Sequence, residues 1–455
     1  MFGSSGVKIT DSGERHMGAA IGSNTFKEEY VSKKVMKWVK DIEELASIAK
    51  DEPQAVYSCY TKAIAHRWTY VQRTIPGISH LFIPLEEAIC EKLIPALLGC
   101  KISETYRRVF ALPVRHGGMG IANPVQNCDH EFNASLRITK NLSSIIYKQE
   151  KDFTNYHKEE VDREIKLVKA GKEERIMEEI EDIKSKLDER SKRVLELAQE
   201  NGSGSWLTAP PIHSLEYTLN KQKFRDAVRM RYEWPVPGTP MYCQCKEKNS
   251  IDHTLNCKLG GYVHMRHNKV RDFLADLMTE VCHDVKVEPE LLPLETDGTT
   301  NGNKAKKARL DVSGVGVWGS NERTFLDVRI MHLNSPSYIN KSTDQVYKEH
   351  EDEKKRAYNE RIIQVEKGTF TPFVMSTSGG MGIEAHKFVK HIATLIAEKR
   401  KESYSDVINH IRTRLRFCLL KSVLVALRGV RGKSKKFGDI TPISALSFNL
   451  LDNGE

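Results

Sequence analysis

Four side chains of the types that bind zinc lie close together in the middle of the chain. They form the pattern C-x-C-x7-H-x3-C at Cys243, Cys245, His253 and Cys257. Zinc takes four thiolate or imidazole ligands in a tetrahedron, and a close Cys/His group in a reducing compartment is typical of a metal site. The spacing predicts a small knuckle with a structural zinc, because four protein ligands leave no open coordination position. His264 or His267 could replace one of these ligands.

Two acidic residues downstream each lie within an apolar run that is typical of a strand. Asp311 follows Ala-Arg-Leu and precedes Val312, and Asp327 lies within Phe-Leu-Asp-Val-Arg-Ile. A buried carboxylate without a partner is costly, so each acid should face a metal or a base. If the two strands pair as a hairpin, both acids lie on one face. They could then bind Mg²⁺ or Mn²⁺, as a metal-dependent nuclease requires.

Such a site also needs a cation near the phosphate that is cleaved. Arg329 follows the second acid by two residues, where lysine would be usual. Lys354 and Tyr358 are four residues apart on a predicted helix, so they share a face, and Lys354 could supply the amine. Glu288 or Glu290 could add a third carboxylate. Salt-bridged residues of an ordinary sheet are the alternative interpretation.

The order of these motifs resembles the C-terminal half of non-LTR retrotransposon proteins that carry a restriction-like endonuclease. Besides the Cys/His group, the resemblance rests on Arg266-His267-Asn268, Glu288-Pro289, Leu310-Asp311-Val312, Leu326-Asp327-Val328 and Glu353-Lys354-x3-Tyr358. Upstream, the segment 112–121 (LPVRHGGMGI) resembles the one after the reverse transcriptase thumb, and 13–18 (GERHMG) resembles the end of the palm. Leu310 stands where the family usually has proline.

The resemblance implies a nuclease domain of the PD-(D/E)XK type that nicks target DNA for element integration. Asp311 and Asp327 would hold Mg²⁺ or Mn²⁺, and Lys354 would position the phosphate or the attacking water, with Arg329 as its rival. Tyr358 and Glu288 complete the expected catalytic group. The implied partners are target DNA and element RNA, in the nucleus or between nucleus and cytoplasm. The chain lacks the Tyr/Phe-x-Asp-Asp motif of a polymerase site, so we expect part of a longer protein or a truncated copy.

Basic residues predict contacts with nucleic acid. The net charge is +9, and basic residues concentrate in a predicted helix over 404–436. Leu415, Leu419, Leu420, Val423 and Leu427 form an apolar stripe that would dock this helix on the nuclease domain. The residues expected to contact nucleic acid are Arg266, His267, Arg412, Arg416, Arg428, Arg431, Lys433, Lys435 and Lys436.

The length of 455 residues predicts several domains. We expect a helical first half that resembles a reverse transcriptase thumb with a helical linker, followed by the zinc knuckle and an α/β restriction-endonuclease-like domain. The predicted segments are 1–24 (end of palm), 25–125 (thumb), 126–205 (charged helical linker), 206–260 (linker helix and knuckle), 261–402 (nuclease) and 403–455 (basic helix and tail). The Gly/Ser-rich stretch 201–205 marks a domain boundary.

Further elements follow from periodicity. Helices are predicted over 26–50, 53–73, 84–98, 222–232, 262–283, 343–364 and 386–399, and strands over 285–292, 308–315, 324–331 and 369–376.

Composition predicts where the protein is located, and two other functions remain as alternatives. Nine mostly isolated cysteines, no signal peptide and no apolar run of membrane-spanning length predict an intracellular, reducing location and no membrane partner. One alternative is a decayed or domesticated copy that binds nucleic acid without cutting it. The other is a helical scaffold that binds proteins through 148–200.

Overall fold

The computed structural model describes residues 10–149, 155–293, 305, 307–429 and 431. These residues are mostly helical and include two small sheets. The chain divides into two compact units, the first comprising Met1–Gln199 with Leu207–Val228 and the second Glu200–Trp206 with Arg229–Glu455. Among the described residues, no helix combines the length and apolar character needed to cross a bilayer. This architecture is compatible with a helical first half and a mixed α/β second half.

Helices dominate the first half. It contains the hairpin β1 Gly13–His16 and β2 Ala19–Gly22, and the helices α1 Asn24–Ala49, α2 Pro53–Lys62, α3 Thr69–Thr74, α4 Ile83–Ala88, α5 Ile94–Leu98, α6 Glu104–Ala111, α7 Pro124–Tyr147, α8 Asn155–Ser185, α9 Glu189–Gln199, α10 Ser205–Thr208 and α11 Lys221–Arg231. A π-helical segment, Ile89–Leu93, joins α4 to α5, and 3₁₀ turns occupy Ile64–His66, Ser79–Phe82, Val114–His116 and His213–Leu215. Most of α7 lies in the segment 126–205 that was predicted as a helical linker, and only Pro124 and Cys128 of this helix are buried.

The first long helix shows how local sequence sets these elements. The Ser23 side chain accepts a hydrogen bond from the Phe26 amide and caps α1. Val31, Val35 and Ile42 recur at helical spacing and are fully buried. The predicted helix over 26–50 is therefore confirmed, whereas the one predicted over 53–73 is interrupted and forms α2, a 3₁₀ turn and α3.

The Gly-Gly-Met-Gly segment forms the tight turn that its glycines predict. Gly117 and Gly120 have φ of 87° and 67°, in the left-handed region that favours glycine. A Cβ on Gly118 would lie 2.0 Å from Leu112 O. Close backbone approach therefore requires glycine at this position.

A four-stranded sheet forms the centre of the second unit. Its elements are α12 Ile251–Asn256, α13 Tyr262–Thr279, β3 His283–Val287, β4 Val312–Val315, β5 Arg323–Met331, α14 Thr343–Arg361, β6 Thr369–Ser376, α15 Ile383–Arg400 and α16 Tyr404–Arg428. The strand order is β3-β4-β5-β6, with β5 and β6 parallel and the other pairs antiparallel. The strands predicted over 285–292 and 308–315 are shorter than expected. Glu288 has φ of 52°, which ends β3 early and leaves an isolated bridge between Glu290 and Arg309.

Helices cover both faces of this sheet. Leu326 and Val328 of β5 face a large apolar core that also contains side chains of α13, α15 and α16. On the opposite face, Phe325 shares a smaller cluster with Ile362, just after α14, and with Tyr358. Because side chains alternate along a strand, Asp327 points to the same face as Phe325, towards α14.

Candidate functional site

Asp311, immediately before β4, lies opposite Asp327 of the antiparallel strand β5. Val312 pairs with Leu326, so the residues on either side of this pair are also opposed. The Asp311 amide donates to Leu326 O at 3.0 Å, and the Val328 amide donates to Asp311 Oδ2 at 2.6 Å. The Asp311 carboxylate thus accepts a hydrogen bond that a backbone carbonyl would otherwise accept. This bond holds the carboxylate beside Asp327.

The two opposed carboxyl groups influence each other, but their pKa values shift in opposite directions. Burial raises the pKa of Asp327 to about 6, against the lowering effect of the Lys354 charge. Burial also acts on Asp311, but the hydrogen bond and charge of His267 and the Val328 amide outweigh it and lower the pKa of Asp311. Two carboxylates this close repel each other unless a proton or a cation lies between them. The pair therefore has the chemistry of a cation site.

The Lys354 side chain from α14 points at the second acid. Its Nζ lies 2.7 Å from Asp327 Oδ2 and 5.9 Å from the centroid of the Tyr358 ring. Tyr358 in turn packs against Phe370 of β6, with ring centroids 5.7 Å apart. The helix therefore presents Lys354 and Tyr358 on the face that the i, i+4 spacing predicts, with the amine at the acid pair.

Arg329 points to the same face as Asp327 but forms a different contact. Its Nη1 lies 3.5 Å from Glu353 Oε1, one residue before Lys354 on α14. Because Phe325, Asp327 and Arg329 contact successively earlier positions on α14, the helix runs antiparallel to β5. The nearest amine to Asp327 in this arrangement comes from Lys354, while the Arg329 guanidinium lies farther along the strand.

His267 reaches the acid pair from α13. Its Nε2 lies 3.2 Å from Asp311 Oδ2 and 3.1 Å from Val328 O. Burial lowers the pKa of His267, but the bond to Asp311 and its charge outweigh this effect and raise the pKa. The sequence predicted that His267 contacts nucleic acid or replaces a zinc ligand, whereas the structure places its ring against Asp311. No local pattern links two residues that are 44 positions apart.

Glu288 lies next to the acid pair through its backbone. Its amide donates to Asp311 O at 2.9 Å, and its carboxylate accepts from Arg271, one turn after His267 on α13. The rival third acid, Glu290, pairs with Arg309. Of the two, the residue whose backbone adjoins Asp311 is Glu288.

The four Cys/His residues form a compact cluster. Cys243 Sγ lies 3.9 Å from Cys257 Sγ, which lies 4.0 Å from Cys245 Sγ, and Cys245 Sγ lies 3.2 Å from His253 Nε2. All four ligand atoms are within 4.8 Å of one another. A tetrahedron with metal–sulfur bonds of about 2.3 Å has sulfur–sulfur edges of about 3.8 Å. The donor set and its spacing therefore fit a four-coordinate metal ion.

Local structure positions these ligands on two short elements. Cys243 and Cys245 lie in a tight turn, in which the Cys243 amide donates to Glu247 O at 2.9 Å. His253 lies in α12, which Ser250 caps by accepting from the His253 amide at 3.0 Å. Burial raises the pKa of Cys243, but hydrogen bonds, above all from the Cys245 amide, outweigh it and lower this pKa to about 6. That thiol is thus poised to bind metal as a thiolate.

Two arginines that were assigned to nucleic acid are buried instead. Arg416 donates through Nε to Ser203 O at 3.2 Å and through Nη1 to Thr377 O at 3.3 Å. Arg266 is 2% exposed and donates to Leu255 O at 3.2 Å. The prediction of nucleic-acid contact is wrong for these two residues. Both lie on helices that the core encloses, so their guanidinium groups donate to backbone carbonyls inside the protein.

The basic cluster at the end of α16 is also partly internal. Arg428 Nη1 donates to Pro237 O at 3.1 Å. Arg431 is buried and donates to Thr254 O at 2.9 Å, so its assignment to nucleic acid is wrong. Arg412 is half-buried. The apolar stripe docks α16 as predicted, because Leu415, Leu419, Leu420, Val423 and Leu427 are all buried. Lys433, Lys435 and Lys436 lie outside the described residues.

Comparisons with protein-family models and with curated proteins found no match to this chain. The functional interpretation therefore rests on the motifs and on the geometry of the two clusters.

Proposed function

We propose that this chain is the endonuclease portion of a retrotransposon-derived protein and nicks target DNA with the help of Mg²⁺ or Mn²⁺. One observation carries the proposal: two carboxylates from adjacent strands meet, and the amine of Lys354 lies 2.7 Å from one of them. Restriction-like nucleases combine these groups, a pair of acids for the metal and a cation for the phosphate. The resemblance of the surrounding motifs supports the same reaction.

The residues have distinct roles in this proposal. Asp311 and Asp327 would hold the cation, and a bound cation would supply a water molecule of lowered pKa and charge to offset the phosphate. Lys354 orients the attacking water or the scissile phosphate. His267 keeps Asp311 oriented through the contact of 3.2 Å between Nε2 and Oδ2. Arg329 and Tyr358 border the same face, where Arg329 is suited to bind a neighbouring phosphate.

The Cys/His cluster supplies a structural metal in the same proposal, and zinc is the ion that fits best. Three sulfurs and one imidazole nitrogen at tetrahedral spacing are its usual donors. By the resemblance, we also propose target DNA and element RNA as partners and the nucleus as the place of action.

The proposal is tested by nicking of a supercoiled plasmid in Mg²⁺ or Mn²⁺. Asp311→Asn and Asp327→Asn should each reduce the nicking rate by about 100-fold or more, the scale of loss when a key transition-state contact is removed. Binding of the same DNA should stay nearly unchanged. Asp284→Asn is the matched control, because Asp284 lies in β3 of the same sheet but is exposed and pairs with Arg323 and Lys286.

Two further results discriminate between the roles and between the functions. Lys354→Gln should reduce the rate more than Arg329→Gln, and the reverse order would make Arg329 the principal cation. A wild-type chain that binds DNA but does not nick it in either metal would refute the endonuclease. That outcome would favour a protein that grips nucleic acid without cutting it.

A further inference from the structure

Helix α14 carries one polar stripe in addition to its apolar contacts. Tyr347, Glu351, Lys354 and Tyr358 follow one another at intervals of four, three and four residues, so they share one side of the helix. Lys354 meets Asp327, and Tyr358 meets the apolar cluster at Phe370. The two earlier members contact other parts of the second unit. The position of Lys354 therefore depends on what holds the start of its helix.

Tyr347 is bound by Glu200, a residue far away in the sequence. The Tyr347 hydroxyl donates to Glu200 Oε1 at 2.9 Å. Ser378 and Ser376 donate to Glu200 Oε2 at 2.9 Å and 3.2 Å. Three hydroxyl donors thus surround one carboxylate and join the helix to the end of β6. Glu200 is half-buried as a residue, and the burial of its carboxylate raises its pKa.

The surrounding backbone is shaped for this carboxylate. A Cβ on Gly380 would lie 2.4 Å from Glu200 Oε2 and 2.5 Å from the Tyr347 hydroxyl oxygen, so the close approach requires glycine. Arg416 lies nearby, and its Nε donates to Ser203 O three residues after Glu200. Burial lowers the pKa of Arg416 to about 9, and the Glu200 charge opposes this effect. The acid therefore also offsets a buried positive charge.

The next member of the stripe fixes the helix to α15. The Glu384 amide, in the first turn of α15, donates to Glu351 Oε1 at 2.9 Å. Glu351 is 5% exposed, and it lies between Tyr347 and Lys354 on α14. A shift or rotation of the helix that moved Lys354 would also disturb the contacts of Tyr347 with Glu200 and of Glu351 with the Glu384 amide. Tyr347 and Lys354 are seven positions apart, which is about 10 Å along a helix.

We propose that Glu200 is a positioning residue that holds α14 through Tyr347 and thereby keeps Lys354 at Asp327. The proposal rests on the proposed nuclease function only where nicking is the readout. Glu200 begins the short segment Glu200–Trp206, which belongs to the second unit although the chain before it belongs to the first. Glu200 thus lies just before the Gly/Ser-rich stretch 201–205, which the sequence predicted as a domain boundary, and contributes to the order of the candidate active site.

A matched pair of variants tests this role. Tyr347→Phe removes the hydroxyl that joins Glu200 to α14, whereas Ser378→Ala removes a hydroxyl from the same carboxylate without altering α14. Tyr347→Phe should lower kcat for plasmid nicking by about 10-fold or more with KM for DNA unchanged, because small misplacement of a catalytic group is costly. Ser378→Ala should keep a kcat near that of the wild type. Both are assayed at a temperature at which circular dichroism shows them folded.

Two measurements without catalysis separate this inference from the nuclease function. In Tyr347→Phe, the amine-reactive labelling of Lys354 should become faster relative to Lys387, and amide-exchange protection over 348–356 should be lost. Ser378→Ala should change neither. If the wild type does not nick DNA, the proposed function fails but labelling and exchange still decide the role of Glu200.

Two outcomes would overturn the positioning role. One is wild-type labelling and exchange in Tyr347→Phe, and the other is an equal change in Ser378→Ala. Glu200→Ala is a second probe, because Tyr347→Phe should add no further loss of protection to it if both act through one contact. Additive losses in the double variant would also contradict the proposal.

Discussion

The two acids of the candidate site show how environment divides one residue type into two behaviours. Asp311 accepts from the Val328 amide and contacts His267, so its ionised form is favoured. Asp327 is 7% exposed and has Lys354 as its counter-charge, yet burial dominates and raises its pKa. Both pKa shifts therefore arise from what other elements pack around the two acids. These opposite pKa shifts predict that neutralising Asp327 and neutralising Asp311 have opposite effects on stability.

Asp327→Asn should raise the melting temperature at pH 8, measured without added divalent metal. The pKa of Asp327 rises from 3.8 to about 6 in the folded protein. The folded state then binds the proton more tightly, so stability falls as pH rises through this window and the cost persists above it. The gain of the variant should therefore shrink as the pH falls from 6 to 4. Because the same change should abolish nicking, stability and function would move in opposite directions.

Asp311→Asn should have the opposite effect in the same melting experiment. The folded-state pKa of Asp311 is lowered, so its charge contributes stability above 3.8 that is lost as the pH falls further. The variant should melt below the wild type at pH 8, and the exposed-site variant Asp284→Asn should change little. A lower melting temperature for Asp327→Asn at pH 8 would show that its ion pair with Lys354 outweighs burial.

At the scale of elements, the small Cys/His segment has too few buried apolar side chains to be stable by itself. The turn with Cys243 and Cys245 and the six residues of α12 bury few apolar side chains, among them Leu255. A polar contact joins α12 to the residue just after β5: His332 Nε2 lies 2.6 Å from Asp252 Oδ1. A segment of this size has little hydrophobic core of its own, so a bound metal should supply much of its folding free energy.

We expect about one zinc per chain in the purified protein, by elemental analysis. Removal of the metal with a chelator should lower the melting temperature, and Cys257→Ser should reduce both metal content and melting temperature. Cys59→Ser is the control, because Cys59 is an exposed cysteine outside the cluster. A metal-free protein with an unchanged melting curve would show that the cluster is not a structural zinc site.

At the scale of the whole molecule, the basic residues divide into buried arginines and the lysines of the basic tail. The net charge is +9. Three of the positive charges lie inside the second unit, where Arg266, Arg416 and Arg431 donate to backbone carbonyls. These side chains cannot report nucleic-acid binding, since their removal would damage the fold. A test of the basic tail must therefore be restricted to Lys433, Lys435 and Lys436.

Replacing Lys433, Lys435 and Lys436 with Ala should weaken binding to unrelated DNA sequences about equally. Contacts to phosphates release counterions, so the slope of log affinity against log salt should fall by up to about three units, close to one per lost contact. Fluorescence anisotropy over a salt series measures both quantities.

The control for this variant removes the same charge elsewhere. Lys158, Lys166 and Lys169 are exposed on α8, and their replacement with Ala should leave the slope nearly unchanged. Equal slopes in both triple variants would show that the tail is not a specific DNA-binding element.

The sequence by itself predicted those features that depend on local spacing. The apolar runs around Asp311 and Asp327 predicted strands, and the register of β4 and β5 brings these acids together as a hairpin would. The Cys/His spacing predicted a compact cluster, because His253 and Cys257 are one helical turn apart. Periodicity likewise predicted α1 and β6. In each case neighbours in sequence are also neighbours in space, so a short pattern contains the information.

Only the tertiary structure decided which distant groups meet. It placed Lys354 rather than Arg329 against Asp327, and it brought His267 to Asp311. It buried Arg416, whose helix looked like a nucleic-acid surface, and it tied Glu200 to Tyr347 across 147 residues. Charge and periodicity describe a helix face, but they do not say which partner covers it. That choice depends on packing between elements far apart in the chain, which local sequence patterns do not encode.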